Sequence, residues 1–410
     1  MTAVESDLDY SLYEWVEQGT RSPMEVVSAS GCSFVTGDGR EVLDFVSQLM
    51  VANLGHSLEP IHSAVYRRSA SLGYVTPAAA TEPRRELSRK LRGVVPGHIS
   101  HFFFSTSGTE ANNDAIRIAR TVTGRSHVLY RGRSYHGSHG PAAMSSGDDR
   151  RSLMEHEPSF SVPFRSHSGN AQEDVAAFRW AVEAIGPEKI AALIIESVPG
   201  GSGVLVPPDG ALQGIEAICR ENGIQLICDE VLTGFGRTGT WFSFEHWGLR
   251  PDLMTMGKAL GGGVAPMGAV GVSEEIARRL ETVRLGTGHT FNSYPLGCVA
   301  ASAALDLYEK TGAVQRAAEL GPVLGERLRA IGEKSQVVQE TRSIGMLAAV
   351  EVRRDPAQIQ AELLRRGVYV LAKGHNLLIA PPLVIEREEL DRGLDVISRT
   401  LEEWSEDPSA

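Results

Sequence analysis

The most regular feature of the sequence, from about residue 60 onward, is an alternation of amphipathic segments with short apolar runs. The amphipathic segments predict helices, at Pro83–Arg92 and Glu110–Thr123 for example. The apolar runs predict strands at Phe102–Phe104, Val128–Tyr130, Ala191–Ile195, Gln225–Cys228, Leu253–Met256 and Ala269–Val272. Continuous apolar runs between helices are typical of an α/β fold with a mostly parallel central sheet that is covered on both faces.

The two ends of the chain show a different pattern of predicted elements. A hairpin is predicted around the turn Gly37-Asp38-Gly39. After Pro295 the predicted elements are the helices Leu296–Tyr308 and Val314–Lys334, the strands Leu347–Val352 and Leu377–Ile379, and a final helix Arg387–Trp404. A chain of 410 residues is too long to form a single compact core. We therefore expect a large domain at 51–300, and a smaller α+β domain at 301–410 that the N-terminal segment and hairpin, 1–50, join.

Composition excludes several classes of partner. Hydrophobic residues make up 42% and charged residues 22%, as in an ordinary globular protein, and no apolar run could span a bilayer. The net charge is −11 without a basic cluster, so neither nucleic acid nor membrane is an expected partner. The acidic start, Met1–Asp9, does not resemble a secretory signal. Cys32, Cys219, Cys228 and Cys298 lack metal-ligand spacing, which predicts buried free thiols, no metal and a cytoplasmic protein.

Three chemically useful groups follow predicted strands. Ser105 to Asn112 are mostly small or hydroxylated and open a helix, where free N–H groups and the helix dipole favour a phosphate. A plain N-cap explains the same residues. Asp229 ends another strand. A buried acid there is costly unless it meets a cation or a strong donor, and a protonated pyridine nitrogen would serve, although a structural turn cap is equally compatible.

Lys258 follows a third strand and precedes a run of glycines, Gly261 to Gly263. Desolvation at such a place would make the amine a nucleophile towards an aldehyde, whereas the alternative is a surface lysine. Ligands of parallel α/β sheets bind beyond the carboxyl ends of the strands. The three groups together therefore predict one site with a phosphate cradle, an acid and a reactive amine.

Longer motifs extend this set: Ser107–Asn112 (SGTEAN), Tyr135–Gly137 (YHG), Asp229–Val231 (DEV), Gly234–Gly239 (GFGRTG), Gly257–Gly263 (GKALGGG), and His289–Phe291 (HTF) followed by Pro295-Leu296. In this order they resemble the class III, or ω-, aminotransferases, from about Phe34 to Trp404. The resemblance implies a fold-type-I homodimer that depends on pyridoxal 5'-phosphate (PLP) and holds it in the domain at 51–300. It also implies a ping-pong transfer from a small-molecule amine donor to an oxo acid or other carbonyl acceptor.

The resemblance further implies roles for single residues. Lys258 would carry PLP as a Schiff base and shuttle the catalytic proton, and Asp229 would pair with the pyridinium nitrogen. His136 is expected to pack behind the site, since Lys258 already serves as the base. The other implied cofactor contacts are Tyr135 and Val231 on the ring faces, Ser107, Gly108 and Thr109 at the phosphate with Thr290 of the neighbouring subunit, and Glu196 near the cofactor.

The chain departs from relatives that use α-amino acids such as glutamate. Leu378 stands where those relatives carry an Arg that clamps a carboxylate, Gly201 replaces a gating Glu, and Leu232 replaces a Gln. These losses favour amines or ω-amino acids as donors and a small oxo acid such as pyruvate as acceptor. Lys373 is a candidate for the acceptor's carboxylate, against the alternative of a solvated loop lysine. Met50, in place of a pocket aromatic, leaves room for a bulky apolar substrate.

Other reactions remain open at this stage. Aminomutases, amino-acid epimerases and decarboxylating transaminases of the same family share the cofactor residues, so the motifs do not separate them from aminotransferases. A nucleotide-binding dehydrogenase is disfavoured because no Gly-x-Gly-x-x-Gly follows an early strand.

Overall fold

The computed structural model describes residues 11–406 except 21, 149, 151–152, 154–159 and 166–168. The strands are β1 (Val26–Ser30), β2 (Ser33–Thr36), β3 (Glu41–Asp44), β4 (Ile99–Ser105), β5 (His127–Arg131), β6 (Ser161–Phe164), β7 (Ile190–Ile195), β8 (Gln225–Asp229), β9 (Leu253–Met256), β10 (Gly268–Ser273), β11 (Val338–Ile344), β12 (Leu347–Val352), β13 (Val368–Tyr369), β14 (Leu371–Lys373) and β15 (Asn376–Ile379). The α-helices are α1 (Ser47–Met50), α2 (Glu59–Ser69), α3 (Glu82–Val94), α4 (Gly108–Thr123), α5 (Gly140–Met144), α6 (Ala171–Ile185), α7 (Ala211–Asn222), α8 (Glu274–Leu280), α9 (Pro295–Thr311), α10 (Ala313–Lys334), α11 (Pro356–Arg365) and α12 (Arg387–Glu406).

A seven-stranded sheet in the order β4-β10-β9-β8-β7-β5-β6 forms the centre of the molecule. Strands β9, β8, β7, β5 and β6 are parallel, and β10 runs against both of its neighbours, β4 and β9. Strand β4 consequently points the same way as β9. This confirms the predicted, mostly parallel sheet, and it brings the carboxyl ends of β4, β7, β8 and β9 to one edge.

Helix α4 shows how the sequence sets the position of this edge. Ser107 caps its first turn by accepting a hydrogen bond from the Glu110 amide, so the helix begins at Gly108, two residues before the predicted start. Gly124 ends the helix in the left-handed conformation. The buried face, which includes Ala115 and Ile118, packs against the central sheet and fixes the start of the helix beside the end of β4.

Two smaller sheets complete the fold, in the orders β1-β2-β3-β13 and β11-β12-β15-β14. In the first of them the N-terminal hairpin pairs in parallel with β13, through Leu43 opposite Val368. Strands β1 and β11 carry few buried residues and so lack the apolar run that predicts a strand. The division of the chain near residue 300 stays a prediction.

A buried arginine joins the central sheet to both ends of the chain. Arg237 Nη1 donates to the carbonyl oxygens of Met346 at 2.9 Å and Pro381 at 2.6 Å. Its Nη2 donates to Ser47 Oγ at 3.0 Å and Asn53 Oδ1 at 2.6 Å. One guanidinium thus holds together the loop after β8, the start of α1 and the loop after it, the turn between β11 and β12, and the loop after β15.

All four cysteines are buried and free, as predicted. Within the described ranges, no helix combines the length and the apolar character needed to cross a bilayer. The acidic start, Met1–Asp9, for which no secretory signal is predicted, lies outside the described residues. The cellular location stays a prediction.

Candidate active site

A cavity of about 320 Å³ opens at the carboxyl edge of the central sheet. Ten of the predicted site residues line it: Met50, Ser107, Gly108, Thr109, Tyr135, Glu196, Asp229, Val231, Lys258 and Lys373. The three positions where the sequence departs from glutamate-using relatives, Gly201, Leu232 and Leu378, line it as well. Thr290 is exposed and does not line this cavity in its own chain.

Lys258 lies directly beyond β9, at the first position of a short 3-10 turn. Its backbone has a φ of +42°, a left-handed conformation that costs a non-glycine residue on the order of 1 kcal/mol and is common at functional sites. Burial lowers the pKa of its amine, an effect that the charges of Asp229 and Glu196 partly oppose. The amine is therefore neutral, and nucleophilic, over a wider pH range than that of an exposed lysine.

Asp229 ends β8 and is nearly completely buried. Its Oδ2 accepts hydrogen bonds from His136 Nδ1 and Asn112 Nδ2, both at 2.7 Å. Its Oδ1 accepts one from the Val231 amide at 3.0 Å, and Thr255 Oγ1 lies 3.3 Å away. These contacts hold the carboxylate in one orientation at the cavity wall.

Backbone segments approach one another closely at the start of α4. A Cβ atom placed on Gly108 would lie 2.5 Å from Val231 Cγ1, and one placed on Gly257 would lie 3.2 Å from Gly108 Cα. Side chains are thus excluded between the helix start, β8 and β9. The first-turn N–H groups of a helix have no intrahelical acceptor, so this 16-residue helix presents an anion cradle to the cavity.

Glu196 comes immediately after β7, as the sequence predicts. It is buried, and its Oε1 accepts a hydrogen bond from the Tyr135 amide at 2.9 Å. Burial raises the pKa of its carboxyl group to about 7. This acid therefore also fixes the backbone from which the Tyr135 ring reaches the cavity.

Besides the predicted cofactor residues, the cavity lining contains apolar side chains and a second lysine. Leu378, Met50 and Leu232 are apolar residues of this lining, and Leu378 is buried. Lys373 is not a freely solvated lysine: its Nζ lies 2.7 Å from Asp148 Oδ2, and a Cβ on Gly201 would lie 3.1 Å from the same Nζ. The lysine thus fills space that the missing side chain of Gly201 leaves open.

Several residues of the cavity are not found by sequence reasoning. Trp15 and Arg150 line it, and Asp148 pairs with Arg150 beside it. None of the three lies in a motif or after a predicted strand, so the sequence carries no signal for them. Asn112 lies inside a recognised motif, but its contact with Asp229 depends on the pairing of distant elements.

The cavity suits a ligand that carries a phosphate, a basic ring nitrogen and an aldehyde. The helix start at Gly108 matches the first group, and the Asp229 carboxylate matches the second. The amine of Lys258, whose pKa burial lowers, matches the third. His136 Nε2 is in addition a buried polar atom without a hydrogen-bond partner among the described residues. The residues present at the cavity therefore fit PLP, on an α/β fold with a mostly parallel sheet.

Comparison with known proteins gives the family. Residues 16–401 match the family model described as aminotransferase class-III. The chain is 32% identical to the beta-alanine–pyruvate aminotransferase of Pseudomonas aeruginosa, over 93% of this chain and 92% of that protein. It is 31% identical to the acetylornithine aminotransferase of Methanothermobacter thermautotrophicus, over 93% and 95%. The structure of the taurine:2-oxoglutarate aminotransferase from Bifidobacterium kashiwanohense, in complex with PLP and glutamate, matches with a TM-score of 0.93 at 31% identity, over 97% and 96%.

The chain belongs to the class III aminotransferases. It is a PLP-dependent enzyme that moves amino groups, and its fold is that of the PLP-dependent transaminases. The predicted fold class, cofactor and amino-transfer chemistry are confirmed. The alternative of an aminomutase, epimerase or decarboxylating enzyme gains no support from these relatives.

Proposed function

We propose that the enzyme takes its amino group from an amine or an ω-amino acid and passes it to a small oxo acid. The observation that carries this proposal is the apolar wall at Leu378, which is 1% exposed and lines the cavity. No guanidinium stands there to clamp the α-carboxylate of a donor such as glutamate. Leu232 and Gly201 line the same cavity.

The donor's reacting carbon is proposed to lose a proton to Lys258. When bound, PLP supplies an electron sink that stabilises the negative charge left on this carbon. Asp229 would hold the ring nitrogen protonated, which strengthens the sink, and its contacts with His136 and Asn112 support this role because they fix its orientation. In the resting enzyme Lys258 would bind the aldehyde carbon of the cofactor. During amino transfer it would return the proton to that same carbon.

The remaining cofactor contacts are proposed on the same basis. Ser107, Gly108 and Thr109 surround the start of α4 and would bind the phosphate through N–H groups and hydroxyls. Tyr135 and Val231 would pack on the two faces of the ring, as their place in the lining allows. Glu196 would help to keep the Tyr135 segment in position. These roles follow the motif, residue by residue.

We also propose a homodimer in which Thr290 completes the phosphate site of the other subunit. Thr290 is exposed and does not line the cavity of its own chain. Beside it, the rings of Tyr74 and Phe291 are each 49% exposed and contact each other, with centroids 5.5 Å apart. An exposed pair of large rings is a common feature of surfaces that bury against a partner.

A donor screen tests the substrate proposal. Purified holoenzyme is incubated with monoamines, ω-amino acids or α-amino acids, against pyruvate or 2-oxoglutarate, and the alanine or glutamate formed is measured. We expect monoamines or ω-amino acids with pyruvate to give the highest rates. Parallel double-reciprocal lines are expected for a ping-pong mechanism. A preference for glutamate as donor, or intersecting lines, would contradict the proposal.

A further inference from the structure

Three charged side chains form a cluster at the cavity, and none belongs to the cofactor set. Asp148 Oδ1 lies 2.7 Å from Arg150 Nε, and its Oδ2 lies 3.1 Å from Arg150 Nη2. The same Oδ2 lies 2.7 Å from Lys373 Nζ. The Asp148 side chain is 5% exposed, whereas those of the two cations are 25% and 29% exposed. Two cations that solvent and ligand can reach thus share one buried carboxylate.

Aromatic rings hold the arginine in place. The guanidinium carbon of Arg150 lies 4.0 Å from the ring centroid of Tyr135 and 4.7 Å from that of Trp15. Both distances are within the range of cation–π contacts. A guanidinium that is held by rings and by an ion pair loses little further freedom when it binds a planar anion.

The guanidinium retains hydrogen-bonding capacity. Among the described residues, the hydrogen bonds of Arg150 all run to Asp148, through its amide, Nε and Nη2. An arginine side chain has five N–H donors, so donors remain for a ligand in the cavity. Glu14 is a further acid in the lining, but it is exposed and its charge is screened by solvent. The cluster therefore favours an anion.

We infer that Arg150 binds the carboxylate of the oxo-acid acceptor, and that Asp148 holds the guanidinium when no acceptor is bound. This inference rests on the proposed function and names the residue that recognises the acceptor. Arg150 suits the role better than Lys373 because its planar fork can pair with both oxygens of a carboxylate. Lys373 Nζ is packed against Gly201 and supports Asp148 from the other side.

Separate measurement of the two half-reactions tests the inference. Arg150→Gln is compared with Arg133→Gln, a matched control that removes the same charge from an exposed arginine outside the cavity lining. We expect R150Q to raise the KM for pyruvate roughly tenfold to 100-fold, the loss of a charge-assisted hydrogen-bonded pair. The half-reaction with a monoamine that lacks a carboxylate should change less than about threefold. R133Q should leave both half-reactions as in the wild type.

A binding measurement gives a readout that is independent of turnover. Propionate, a carboxylate that cannot react, is titrated into the holoenzyme by calorimetry. We expect R150Q to weaken its binding roughly tenfold or more, and R133Q to leave it unchanged. Arg150→Lys keeps the charge without the planar fork and should give an intermediate affinity, which also provides a test if R150Q does not fold.

The failure of this inference can be told apart from failure of the proposed function. If the wild type transfers amino groups from monoamines to pyruvate but R150Q behaves like R133Q, the assignment to Arg150 is wrong. If Lys373→Met raises the KM for pyruvate more than R150Q does, the carboxylate site belongs to Lys373 instead. If the wild type uses no monoamine or ω-amino acid at all, the proposed function fails, whereas the propionate titration still tests the anion site.

Discussion

The Nδ1 atom of His136 lies 2.7 Å from Oδ2 of Asp229, and both side chains are buried. Because a carboxylate oxygen accepts, the imidazole must donate through Nδ1, which fixes its tautomer. Its other nitrogen has no partner among the described residues. The histidine thus orients the acid that is proposed to face the cofactor ring, and it also lines the cavity, whereas the sequence predicts it to pack behind the site.

Replacement of the acid tests its proposed role at the ring nitrogen. We expect Asp229→Asn to lower kcat on the order of 100-fold or more, since a neutral amide does not stabilise a protonated pyridine nitrogen. The control is Asp252→Asn, another mostly buried acid, which accepts from the Leu226 amide at the opposite end of the strands. D252N should lower the free energy of unfolding while leaving kcat near the wild-type value. Near-wild-type turnover in D229N would overturn the assignment.

The histidine should matter less than the acid it orients. We expect His136→Phe to lower kcat roughly tenfold, because the Asn112 and Val231 contacts still hold Asp229. The pH profile of kcat should keep the wild-type shape. If His136 were instead the general base, H136F would abolish turnover as completely as loss of Lys258 and would remove the acidic limb of the profile.

Lys258 can be assigned chemically. Borohydride reduction should fix the cofactor to the enzyme, and peptide mapping should place it on Lys258. Lys258→Ala should abolish turnover while the protein still binds PLP through its phosphate contacts. Lys373 is the internal control, since it is the other lysine among the residues that line the cavity. A label on Lys373 would contradict the assignment.

The size of the substrate pocket depends on Met50, which is 3% exposed and lines the cavity. We expect Met50→Trp to lower kcat/KM for a bulky amine donor at least tenfold relative to that for a small one, because the larger ring takes up donor space. Leu49→Trp, at a lining position that is 47% exposed, is the matched control and should change this ratio little. An unchanged ratio in M50W would mean that Met50 does not bound the donor site.

Burial of Glu196 predicts a dependence of stability on pH. The pKa of this carboxyl is raised from 4.5 to about 7, so between these values the unfolded chain releases a proton that the folded chain retains. The free energy of unfolding therefore falls as pH rises through this window. In the cofactor-free protein, the free energy of unfolding of Glu196→Gln minus that of the wild type should rise by about 2 to 3 kcal/mol from pH 5 to pH 8.

Urea unfolding at a series of pH values measures this difference. Glu188→Gln removes an exposed carboxylate after α6 and provides the baseline. A difference between Glu196→Gln and the wild type that does not change with pH would show that the folded protein holds Glu196 ionised throughout the window.

The residues proposed to bind the cofactor can be found from the sequence because they follow strand ends. Asp229 and Lys258 each follow a buried run of one sheet, and parallel strands bring such ends to one edge without any knowledge of distant contacts. The reversed direction of β10 does not disturb this, since β4 and β9 lie on either side of it and point the same way.

The residues proposed to bind the acceptor depend on contacts that no local sequence pattern encodes. Trp15 and Arg150 are 135 positions apart and meet over a cation–π contact in the lining. Arginine is frequent in this chain, so nothing in the sequence distinguishes Arg150 from the other arginines. The proposed role of Arg150 depends on its contacts with Asp148 and Tyr135 in the folded chain, which periodicity and strand ends do not predict.

The four bonds of Arg237 have a consequence for how this enzyme could diversify. They join the loop after β8 to the side chains of Ser47 and Asn53, on either side of Met50 in the sequence, and to the carbonyl groups of Met346 and Pro381, the latter shortly after Leu378. The residues proposed to act on the cofactor, Asp229 and Lys258, are positioned separately, at the ends of strands of the central sheet. Changes near Met50 and Leu378 can therefore alter donor selection without disturbing the residues proposed for catalysis. The condition is that the Arg237 guanidinium keeps these two parts of the cavity lining in position.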